Sequence, residues 1–178
     1  MVAILFEGIS DENFFNSILD EYKLPKNEVT FLKFDGKDNI FKVSHKNYDY
    51  LETDIDAGKI TKAIIIVDAD NEKDPNPNRG FEASKNKIEE IITHLDFSIS
   101  IDYYIMCDEK KEGNLESFLL SVLEDEQKEC ISKFRDCYKH NLSDKWVYNS
   151  FYKQKKEPFN FQHSNFNLLK EKLENLFK

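Results

Sequence analysis

No apolar stretch of this sequence approaches the roughly 20 residues that a membrane-spanning helix requires. The apolar run at the start, Val2 to Phe6, stops at Glu7, too soon for a signal peptide. A soluble, cytoplasmic protein with no membrane partner is expected. Cysteine is scarce: Cys107, Cys130 and Cys137 are odd in number and lack the paired short spacing of a zinc site. That excludes a disulfide framework and predicts free thiols in a reducing compartment. Basic residues are outnumbered, 25 against 34 acidic, leaving a net charge of −9. A general basic surface that grips nucleic acid by counterion release is therefore excluded, and any such contact must be local, metal-bridged or helped by a partner. His45, His94, His140 and His163 are scattered without metal spacing. There is no P-loop, no internal repeat and no low-complexity tract.

What remains is a chain of 178 residues, 40 % hydrophobic, 13 % aromatic and 33 % charged, enough for one domain with a substantial core. Its centre is Lys62 to Asp70, KAIIIVDAD, in which five apolar residues lead into two carboxylates. A run that short and β-branched suits a strand buried on both faces of a parallel sheet. Asp68 and Asp70 then stand at its carboxyl end, where open α/β sheets bind ligands, and form a candidate divalent-metal pair.

Along the chain, VAILF reads as a first strand and Glu7-Gly8 as the turn after it. Ser10 reads as the N-cap of a helix whose apolar stripe is Phe14, Phe15, Ile18, Leu19 and Tyr22. Val29 to Phe34 is a second strand, and a helix is expected from about Ile40 to Ile55. After the third strand, the proline-rich loop NEKDPNPNRG leads to a helix at Phe81 to Leu95 and a fourth strand at Phe97 to Met106. Strands alternating with helices predict an α/β fold: an open, mostly parallel four-stranded sheet flanked by helices, with a C-terminal helical extension. Residues 1–112 form the core and residues 113–178 the extension, packed on it within one domain. Helical spacing in the extension falls at Leu115 to Leu123, Asp125 to His140, Ser143 to Tyr152 and Phe166 to Phe177, with a basic turn at Lys153 to Glu157 and an aromatic connection at Pro158 to His163.

If the second and third strands flank the first, a topological switch point falls between Glu7 and Asp68, and Glu7, Asp68 and Asp70 converge. Three uncompensated carboxylates raise one another's pKa, and a bound Mg²⁺ removes that penalty. Asp74 in the proline-rich loop is a further possible ligand. Arg79, beside Gly80, reads as a solvated arginine, with a phosphate held at the start of the next helix as the alternative.

The stretches ILFEGISDENFF and AIIIVDAD together resemble the Toprim domain of topoisomerases, primases, RNase M5 and OLD-family nucleases. The resemblance implies acid/base or metal chemistry for Glu7 and Mg²⁺ binding, with Mn²⁺ as substitute, by Asp68 and Asp70. EGxSD is closer to the OLD branch and its small stand-alone relatives, which implies that Asp11 also approaches metal. NLESFLL at Asn114 to Leu120 resembles a Leu-Glu segment of that branch, which implies Glu116 as another metal ligand. SDKWVYNSFY resembles its C-terminal lysine segment, with Lys145 the best match and Lys153, Lys155 and Lys156 nearby. The topoisomerase tyrosine and the primase zinc region are absent, and so is the ATPase that OLD nucleases carry on the same chain. The implied function is a Mg²⁺-dependent phosphodiesterase acting on DNA or RNA, alone or with a separate ATPase partner. The alternatives are an inactive Toprim-like interaction subunit and, further off, a DxD site of a GT-A glycosyltransferase, for which Glu7-Gly8 has no evident use.

Overall fold

A computed structural model describes residues 1–71, 74–138, 142–152 and 160–178. Four strands, β1 (Val2–Phe6), β2 (Val29–Lys33), β3 (Lys62–Asp68) and β4 (Ser100–Met106), form one sheet in the order 2-1-3-4. Every pairing is parallel, with Ile4 beside Phe31 on one flank and beside Ile64 on the other. The helices are α1 (Ile9–Glu21), α2 (Lys37–Ile40), α3 (Lys46–Asp56), α4 (Phe81–Leu95), α5 (Leu115–Ser121), α6 (Asp125–Tyr138), α7 (Asp144–Phe151) and α8 (Asn167–Leu176). This is the α/β architecture read from the alternation of patterns. Among the described residues no helix is long and apolar enough to cross a membrane.

Strand periodicity divides the core. Val2, Ile4, Phe6, Ile64 and Ile66 point to one face, where they meet α1, α5 and α8. Ala3, Leu5, Ala63, Ile65 and Val67 point to the other, against α3 and α4. The valine, leucine, isoleucine and phenylalanine side chains of β1 and β3 buried this completely contribute about 1.5–3 kcal/mol each. The C-terminal residues Phe166, Leu169, Leu173 and Leu176 belong to the first of these cores, so the extension shares the sheet's hydrophobic interior. Val147 of α7 packs with Leu120 and Leu123 in a smaller cluster that ties α7 to α5. On the outer side, Phe134, Tyr138, Trp146 and Phe151 form a partly exposed group of touching rings.

Three local expectations are corrected. The helix expected from about Ile40 to Ile55 starts only at Lys46, while Lys37 to Ile40 form a separate short helix, α2, with Phe41 to His45 between them. His45 Nδ1 accepts the Asn47 N–H to cap α3, and the buried Tyr48 hydroxyl donates to the Ile40 carbonyl, joining the pieces. The cap of α1 is Gly8 rather than Ser10, because the Asp11 carboxylate folds back onto the Gly8 N–H. Strand β4 starts at Ser100, so Phe97 to Ile99 act as a lead-in. The basic turn at Lys153 to Glu157 and the first part of the aromatic connection lie outside the described residues.

Candidate metal centre

The strand order makes β1 and β3 neighbours, while their outgoing connections leave on opposite faces, through α1 and α4 respectively. The crevice opened between those connections is the switch point at which Glu7 and Asp68 stand. Glu7 Oε1 accepts the Asp68 N–H at 2.8 Å. Asp68 Oδ1 accepts the Leu115 N–H at 2.9 Å, which brings in the N-terminus of α5 and with it Glu116, buried at 6 % exposure. Asp11 Oδ2 takes the Gly8 N–H at 2.7 Å. Asp70 Oδ2 is gripped by Lys37 Nζ at 2.9 Å and Arg79 at 3.1 Å. In each of these four carboxylates one oxygen is oriented by a protein donor.

Electrostatics records the crowding. Burial, then the charges of Asp70 and Asp11, push Glu7 up to about 7, against the opposing Asp68 N–H and Lys37 ammonium. Asp11 is pushed up to about 6 by burial and by Glu116, with the Gly8 N–H and Lys145 opposing. Asp68 is held well above the usual carboxylate range by burial and by the charges of Glu7, Asp11, Asp70 and Glu116. These are the shifts expected of acids taken out of water and brought together without enough counter-charge. As the side chains stand, no three His, Cys, Asp or Glu groups among the described residues are arranged to hold an ion, so enclosing one calls for carboxylate rotation. The donor set itself, all carboxylate oxygen without sulfur or imidazole at its centre, fits a hard divalent cation such as Mg²⁺ or Mn²⁺.

The loop after β3 is tied to the loop before α5. Asp70 adopts a left-handed backbone (φ 63°), and its N–H and carbonyl pair with the carbonyl and N–H of Gly113 at 2.6 and 3.1 Å. Gly113 has φ 91°, and a Cβ there would lie 2.4 Å from Ser117 Oγ. A Gly113→Ala variant is therefore expected to lose about 1–3 kcal/mol in urea unfolding, from steric overlap and backbone strain together.

A family model described as a protein of unknown function, DUF3226, matches residues 2–162. The chain belongs to the DUF3226 family. No curated protein and no solved structure matches it. The DUF3226 match runs from β1 past α7 and so spans all the acids described above, together with Lys145.

In this DUF3226 chain Lys145 lies exposed in the first turn of α7, close enough to Asp11 for its charge to lower that carboxyl's pKa. The other sequence candidates go elsewhere. Asp74 Oδ1 caps its own loop by accepting the Asn76 N–H. Arg79 is committed to Asp70 and Asp38 rather than to an open helix terminus. His45 and His163 cap helical turns, and His94 bonds the Glu90 carbonyl. Lys153, Lys155, Lys156 and His140 lie outside the described residues. Cys107 is half-buried, its thiol pushed up to about 11 by burial and Asp108, which disfavours the thiolate at neutral pH.

Sequence reasoning missed Lys37. It follows Gly36 just after β2, which ends at the same sheet edge as β1 and β3. The backbone after β2 is stitched to that edge by Phe34 N–H to the Phe6 carbonyl and Gly36 N–H to the Glu7 carbonyl, both 3.0 Å. A lysine one residue further on was the available signal.

Proposed function

We propose that this protein is a divalent-cation-dependent phosphodiesterase of the Toprim type that cleaves DNA or RNA, using Mg²⁺ and accepting Mn²⁺. The observation that carries this reading is the convergence of Glu7, Asp11, Asp68 and Asp70 at the switch point, each oriented through one oxygen by a protein donor. A divalent cation bound there supplies an activated water and neutralises phosphate charge. Glu7, Asp11, Asp68, Asp70 and Glu116 are its ligands in this proposal. Glu7, with an acidity near neutrality in the cation-free chain, is suited to accept a proton from the attacking water. Lys145 offers its ammonium to the charge developing on the phosphoryl oxygens.

The net charge of −9 supports a second reading, an interaction subunit that engages polyanion only beside a basic partner such as a separate ATPase chain. End-labelled single- and double-stranded DNA and RNA, incubated with the isolated chain and Mg²⁺ or Mn²⁺, decide between them. Cleavage that EDTA abolishes supports the enzyme. Cleavage that appears only after a co-purifying ATPase is added supports the subunit. With activity in hand, Lys145→Ala is expected to lower kcat by about a hundredfold while Mn²⁺ affinity is unchanged; an unchanged kcat removes Lys145 from the reaction.

A further inference from the structure

Among the described residues Lys37 is the one buried lysine, 2 % exposed overall with no side-chain surface accessible. Removing an ammonium from water costs several kcal/mol unless partners replace the lost hydration. Here Nζ donates to the Ala69 carbonyl at 3.1 Å and to Asp70 Oδ2 at 2.9 Å, and faces the Phe41 ring at 5.9 Å. A role confined to fastening the loop is redundant. The backbone at 69–70 is already held by the Asp70–Gly113 pair and by the Gly80 N–H on the Ala69 carbonyl. What Lys37 adds is a hold on a side-chain oxygen. Arg79 grips the same oxygen, Oδ2, from the more exposed side.

We propose that Lys37 is a positioning residue for the acid cluster: its buried ammonium fixes Asp70 through Oδ2 and so presents Oδ1 to a divalent cation. This rests on the metal-centre reading above. Lys37 does not touch the cation. It acts through Asp70, as donors behind a ligating carboxylate do elsewhere, where their loss typically weakens metal affinity about 10–100-fold. Its charge also offsets one of the clustered acids, as its lowering effect on Glu7 records.

Two measurements test the proposal. In EDTA, urea unfolding of Lys37→Met, Asp70→Asn and the double variant forms a cycle; methionine keeps the length of lysine without its charge. The expected result is non-additivity of at least about tenfold in the unfolding equilibrium constant, with the double variant less impaired than the two singles predict. Mn²⁺ binding, followed by electron paramagnetic resonance at a temperature where all variants remain folded, is expected to weaken about tenfold or more in Lys37→Met. Asn39→Ala serves as the control for a purely structural effect, because Asn39 anchors the same segment through the Phe34 carbonyl at 2.9 Å and should leave Mn²⁺ affinity unchanged. Wild-type affinity in Lys37→Met, or equal weakening in Asn39→Ala, overturns the positioning role while leaving the metal centre standing. A wild type that binds no Mn²⁺ overturns the metal centre and the cation-directed part of the proposal together. An additive cycle refutes the hold of Lys37 on Asp70 whatever the metal result.

Discussion

Asp68→Asn is expected to abolish cation-dependent cleavage and, at the same time, to stabilise the cation-free protein. Asparagine keeps an oxygen to accept the Leu115 N–H that Asp68 Oδ1 accepts now, so the junction between β3 and α5 survives. The substitution removes the carboxylate on which four neighbouring acids converge electrostatically. Loss of a charge that the reaction depends on lowers kcat by about a thousandfold at the upper end of such effects. Relief of repulsion works the other way on the fold, and single substitutions that relax a functional site commonly add about 0.5–2 kcal/mol. Activity falling while the unfolding midpoint rises, both measured near pH 8, is the joint signature. A variant that loses stability and activity together marks Asp68 as structural and removes the basis for the metal reading.

The features that made the fold legible are the same ones that placed the acids. Strand β1 and the Ala63 to Val67 run of β3 are apolar throughout, which only a sheet covered on both faces accommodates, and each run ends directly in a carboxylate. Once strands of that kind alternate with helices, their carboxyl ends share one edge. Glu7 and Asp68 could thus be brought together before any contact was known. Asp11 was harder to place, because a first-turn acid is what any helix favours. It turns out to do both things, closing the α1 cap with one oxygen and facing the cluster with its charge. Ser10 was mistaken for the cap because a glycine N-cap leaves no side-chain signal, and here the capping group comes from inside the helix. The break after Ile40 was hidden because Tyr48, Leu51 and Ile55 continue an apolar pattern compatible with one longer helix. Lys37 escaped for a different reason. A lysine after Asp-Gly reads as turn and solvent, and only the packing of α2 against the β3 loop shows it to be interior.

The acidities of Glu7 and Asp11 fix how the cation-free protein should respond to pH. Glu7 rises from 4.5 to about 7 and Asp11 from 3.8 to about 6 in the folded chain. For both groups the folded state binds its proton more tightly than the unfolded state does. Between the two pKa values the folded chain carries more protons, so stability declines as pH rises. Their contribution is fully present at the acidic end, falls through the interval up to about pH 7, and is flat above it. For Glu7 alone the interval corresponds to about 3 kcal/mol, so Tm in EDTA should drop by roughly 6–12 °C between about pH 5 and about pH 8. A divalent cation reverses the trend. It binds the ionised carboxylates, so its stabilising effect should grow with pH and its binding should release protons around pH 6. Calorimetric titration of Mn²⁺ in buffers of different ionisation enthalpy reads that release directly. If Tm in EDTA stays level or rises over the interval, or if Mn²⁺ binds without displacing protons, burial among the clustered acids does not hold Glu7 and Asp11 protonated. The crowding that argues for a cation then loses its force, since acids that ionise freely side by side have no unmet charge for an ion to satisfy.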